Sequence, residues 1–67
     1  MPRYAITGNN EAGRTSHHRD AAAEAIEKAA EMMGLGMTSI CITDTETGRV
    51  YQEREFPVLL IANDTPV

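Results

Sequence analysis

At 67 residues, with a net charge of −4 and a pI near 4.9, the chain is sized for a single domain. Its six scattered Lys and Arg residues are too few to clamp nucleic-acid phosphates or an anionic membrane surface. The longest apolar run, residues 58–62, is far shorter than a membrane span, no signal-peptide core opens the chain, and the lone Cys41 excludes an internal disulfide, which points to a cytoplasmic protein.

Residues 3–7 carry Tyr4 and Ile6 at period two and predict a first strand, closed by Gly8, Asn9 and Asn10. Residues 9–16 are polar and read as a loop, with room for a short strand around Arg14 and Thr15 paired back on the first. A helix is expected over 17–33, capped by Ser16 or Asp20, with Ala22, Ile26, Ala29 and Met33 in one stripe flanked by Ala25, Ala30 and Met32. Asp20, Glu24, Glu27, Lys28 and Glu31 take the opposite side, where Glu24 and Lys28 form an i,i+4 pair. Gly34 or Gly36 supplies the left-handed end, with Leu35 as its apolar contact.

The next strand is expected over 37–43, with Ile40 and Ile42 on one face and Ser39, Cys41 and Thr43 on the other. Asp44-Thr45-Glu46-Thr47-Gly48 is a hairpin signal, since Asp opens the turn and Gly takes positive φ. The return strand is expected over 49–56, with a bend or bulge at its far end, because Gln52 and Arg54 share the parity of Val50 and Phe56. After Pro57, the run Val58, Leu59, Leu60 and Ile61 reads as an edge strand of the same molecule or one exchanged with a second copy. Together these elements predict a single α+β domain over 1–67, β-α-β-β, with a small antiparallel sheet in order 1-3-2 and one helix on one face.

Chemistry-bearing clusters are sparse. His17 and His18, adjacent at a helix start, would point about 100° apart and so do not form a chelating pair. The glycines match neither a dinucleotide loop nor a phosphate loop, and the acidic helix side reads as a solvated face. Neither a cofactor nor a metal is expected. Cys41, within a strand-like run, reads as a small buried hydrophobe.

Two families resemble parts of the chain. Pro2, Gly13-Arg14 ahead of the helix, Ala25-Ile26 within it and Met37-Thr38-Ser39-Ile40 resemble the 4-oxalocrotonate tautomerases, small β-α-β-β isomerases that begin with proline. That resemblance implies Pro2 as a general base, once Met1 is removed, and Arg14 as the holder of a substrate carboxylate on a small keto acid. Cys41 stands where that family has a second arginine. Met1-Pro2-Arg3-Tyr4, the helix over 22–33, and Ile42-Thr43-Asp44 through Gly48-Arg49-Val50 to Phe56 resemble a group of small uncharacterised bacterial proteins that begin with the same four residues. The second resemblance implies a fold and no activity. Size and element order are also similar to dodecin, whose flavin-stacking tryptophan has no counterpart in a chain without tryptophan.

The functional expectation is a non-enzymatic module that forms a homodimer or larger assembly through Val58, Leu59, Leu60, Ile61 and an uncovered sheet face, because one alanine-rich helix contributes little apolar area. The alternative is the proline-based isomerase. A third reading is small-ligand binding in an interface cleft near Tyr4, Tyr51 and Arg54.

Overall fold

Asn10 and Gly13 turn the chain back on its first strand. The structure, a computed structural model, describes the backbone of residues 2–64 and the side chains of residues 2–61. Strand β1 spans Tyr4–Asn10 and β2 spans Gly13–Arg19, antiparallel and in register from Tyr4 opposite Arg19 to Asn10 opposite Gly13. The Ala12 N–H donates to Asn10 Oδ1 at 2.8 Å, and Gly13 adopts φ +119°. The expected loop over 9–16 and helix start at 17 are therefore corrected: His17 and His18 lie in a full seven-residue strand. β2 contains no apolar side chain, so it carries no period-two signal, and its ladder to β1 supplies the stability instead.

Helix α1 spans Ala22–Gly34 and starts from Ala21 with no side-chain cap, so neither Ser16 nor Asp20 serves as one. Ala22, Ala25, Ala29 and Met32 are buried, with Ile26 and Met33 half-buried beside them, so the inner face is turned from the expected stripe. Lys28 pairs with Glu31 at 3.2 Å rather than with Glu24. At the C-terminus the Gly36 N–H donates to the Met33 carbonyl and the Met37 N–H to the Met32 carbonyl, with Gly36 at φ +80°. This is the double bond pattern of a Schellman end, and its apolar contact comes from Met37, because Leu35 is 72% exposed.

Strand β3 spans Thr38–Asp44 and pairs with β1, and β4 spans Val50–Gln52 and pairs with β3. The sheet order is β2-β1-β3-β4, wholly antiparallel, which replaces the expected 1-3-2. The reason is β2. By reversing the chain it makes β2 and β3 the two strands joined through the helix, so the one-place skip occurs over β1 and leaves β1 central.

β3 carries a bulge. Between Thr7 opposite Cys41 and Asn9 opposite Thr38, Gly8 alone faces Ser39 and Ile40. Ser39 sits at φ +54°, a left-handed conformation that costs a residue with a Cβ about 1–2 kcal/mol. Gly8 packs tightly opposite it: a Cβ there would lie 3.0 Å from Met32 Cε and 3.2 Å from Ile40 Cγ1, so those side chains would have to give by a few tenths of an ångström. Ser39→Gly is expected to stabilise the fold by roughly 0.5–1 kcal/mol net of the glycine's extra entropy loss, read as a Tm a few degrees higher in a thermal melt.

The Asp44 hairpin is as the sequence predicts. The Glu46 N–H donates to Asp44 Oδ1 at 3.0 Å, the Gly48 N–H to the Asp44 carbonyl at 2.7 Å, and Gly48 takes φ +77°. The return strand stops after three residues. Gln52 and Glu55 form a reciprocal capping box, with the Gln52 N–H donating to Glu55 Oε1 at 3.1 Å, and a 3-10 turn over Glu53–Glu55 leads into α2 at Phe56–Asp64. The expected strand over 49–56 and the expected terminal edge strand are both corrected, because Pro57 sits in the first helical turn, where its missing N–H costs nothing. In β4, Tyr51 faces inward, and the parity shared by Val50 and Gln52 is the exposed one.

The core lies between one sheet face and both helices: Tyr4, Ile6, Ile40, Ile42 and Tyr51 below, Ala22, Ala25, Ala29 and Met32 on α1, Phe56 and Leu59 on α2. α1 lies over β1, β2 and β3, and α2 packs beside it against β4. The bulk missing from α1 is thus partly made up by Phe56 and Leu59 of the same chain.

Candidate functional site

Strand alternation sends Tyr4, Ile6, Gly8, Thr15, His17, Arg19, Ile42 and Tyr51 toward the helices. The other face carries Ala5, Thr7, Arg14, Ser16, His18, Cys41, Thr43, Val50 and Gln52, and no helix covers it. These side chains are small or polar apart from Val50, so this face is compatible with water.

The second surface is the outer side of α2. Leu59 is wholly buried and Leu60 half-buried, whereas Pro57 is exposed, Val58 is 50% exposed and Ile61 is 66% exposed. Phe56, Pro57 and the apolar run 58–62 precede Asn63 and Asp64, so the first two turns of this helix have no polar side to turn to water. A helical stretch that is apolar all round is normally enclosed.

The sequence-predicted residues are dispersed. Pro2 is exposed just before β1, with its carbonyl 3.4 Å from Thr45 Oγ1. Arg14 is exposed at the other end of the β1–β2 ladder, opposite Asn9, so roughly 20 Å of extended chain separates it from Pro2. One protomer does not bring these two together. His17 is half-buried toward α1 and His18 is exposed on the open face, so the histidines point apart. No group of three or more His, Cys, Asp or Glu side chains converges among the described residues. Cys41 is half-buried on the open face.

Within one protomer Tyr4, Tyr51 and Arg54 do not line a common hollow among those described, and the cleft expected there is one between copies. Both tyrosines are core residues, and burial pushes the Tyr4 phenol up. Arg54 is exposed in the 3-10 turn, where it lines a shallow concavity of about 540 Å³ with Ser39, Ile40, Cys41, Gln52 and Glu53. A second hollow of about 270 Å³ lies on the open face, lined by Arg14, Thr7, Asn9, Ser39, Cys41 and neighbours.

The main buried charge is structural. Asp44, 3% exposed, accepts from Arg3 Nη2 at 3.0 Å and from Arg3 Nε at 3.3 Å, and Arg3 Nε also reaches Glu46 at 2.9 Å. Thr45 Oγ1 donates to the Arg3 carbonyl at 2.7 Å, so the hairpin and the start of β1 are tied together. The Arg3 guanidinium and, behind it, the Glu46 and Thr47 N–H groups hold the Asp44 carboxyl below the usual carboxylate range against the opposing effect of burial. Sequence reading took Asp44 as a turn residue and missed Arg3 as its partner, because the two lie 41 positions apart.

No protein-family model, curated protein or solved structure matches the chain. Function therefore rests on the surfaces themselves. No described helix is long and apolar enough to cross a membrane.

Proposed function

We propose that this protein is a non-enzymatic module that self-associates through the outer side of α2, with Val58 and Ile61 at the centre of the contact and Pro57 and Leu60 at its margin. The observation that carries the reading is a surface helix whose first two turns have no polar side, of which one face seals its own core and the other is left in water. Removing the exposed parts of Val58 and Ile61 from water gains about 25 cal/mol per Å² of apolar area, and a second copy of the same helix, related by a two-fold axis, offers a matching apolar surface. The uncovered sheet face lies on the opposite side of the molecule and remains free for a partner contact.

Sedimentation velocity at micromolar concentration tests this. The native chain is expected to sediment as a dimer or larger species, and Val58→Ser/Ile61→Ser as a monomer with an unchanged circular dichroism spectrum. A native chain that stays monomeric over that range would reject the proposal.

A further inference from the structure

Positive charge is unevenly compensated in this acidic chain. Arg3, Lys28 and Arg49 each have a carboxylate within 4 Å, and Arg19 lies beside Glu24 and Glu27 on the acidic side of α1. Arg14 and Arg54 have no carboxylate within ion-pair distance among the described residues. They stand on β2 and just after β4, at opposite sides of the sheet, yet each lines a hollow that reaches the same two residues. Ser39 and Cys41 belong to both hollows, that of Arg14 and that of Arg54. The bulge that holds Ser39 in its left-handed conformation places it where the two hollows meet.

We propose that this patch, flanked by Arg14 and Arg54 and centred on Ser39 and Cys41, binds a small anion with carboxylate or phosphate groups. The guanidinium fork donates two parallel N–H bonds to either group, and two arginines on opposite sides favour a ligand with an anionic group for each. Ser39, Thr7, Asn9 and Gln52 supply neutral hydrogen-bonding groups between them. Glu53 borders the larger hollow and the chain carries a net charge of −4, which together disfavour a long polyanion such as nucleic acid. Arg54 lies in the turn that leads into α2, whereas Val58 and Ile61 stand on α2 itself, so the titration and the sedimentation test read the two proposals separately.

The test is a ¹⁵N NMR titration with sodium phosphate, with sodium citrate as a multivalent carboxylate, and with sodium chloride at matched ionic strength. Saturable shifts are expected at residues 14, 39, 41 and 54 with phosphate, citrate or both, and the anion that binds identifies the ligand class. Arg14→Gln and Arg54→Gln should each weaken binding at least tenfold, whereas Lys28→Gln should leave it unchanged. Shifts no larger than those in chloride, or a variant of either arginine that binds as tightly as the native chain, would overturn the site.

Discussion

Truncating Leu59 to alanine is expected to cost about 3 kcal/mol, within the 2–5 kcal/mol typical of emptying a fully buried leucine site. Leu59 is 0% exposed and, with Phe56, is the contribution of α2 to a core otherwise roofed by alanines and Met32. For a domain of this size each 1 kcal/mol moves Tm by about 4–8 °C, so the variant should melt at least 12 °C below the native chain. The same truncation at Ile61, measured where the chain is monomeric, should cost under about 1 kcal/mol, because 66% of that residue is already in water. The pair of values separates a helix from a strand. In a strand, positions 59 and 61 share one face and would suffer alike; in the helix they do not. Equal losses at the two positions would contradict the placement of α2.

The second large effect is at Asp44. Replacing it with alanine removes the acceptor of the Glu46 N–H and of the Arg3 guanidinium, and is expected to cost on the order of 2 kcal/mol. Arg3 is 39% exposed, so solvent screens the ion pair and the figure rests mainly on the part-buried bond from the Glu46 N–H. The effect has a pH signature with a definite sign. Asp44 is held below its unfolded value, so its contribution is fully present above about pH 4 and is lost as pH falls from there through the lower folded value. Denaturant melts between pH 7 and pH 2 should therefore show the native chain converging on Asp44→Asn in acid and separating from it at neutral pH. A gap that stays constant across that range would show that the carboxylate charge contributes nothing.

What the sequence disclosed and what it hid follow from how each element is stabilised. The Asp44–Gly48 hairpin was legible because its instructions are local: a side-chain acceptor two residues before the N–H it binds, and a glycine at positive φ. α1 was legible in its acidic side and its alanine-rich inner face, and its start was misplaced because Ala21 caps it without a side chain. β2 was legible only as a short strand around Arg14 and Thr15, and its extension through His17 and His18 was hidden, because an edge strand with water on much of its surface needs no apolar alternation. Leaving that strand out of the element order also displaced the sheet, since a missing reversal puts the crossover on the wrong pair of strands. α2 was read as a strand because four consecutive apolar residues have no period, and Pro57 was taken to break a ladder when it opens a helix. Of the candidate sites, Arg14 and Arg54 were each singled out separately, and nothing in their spacing indicated that a bulge at Ser39 would link their surroundings.

Thermal unfolding followed by circular dichroism over a hundredfold range of protein concentration joins the two roles given to α2. If its outer side is covered by a second copy, association is linked to folding, and Tm must rise with concentration in the native chain and stay flat in Val58→Ser/Ile61→Ser. A native Tm that does not move across that range would mean that Val58 and Ile61 are simply exposed and that the protein folds and functions alone.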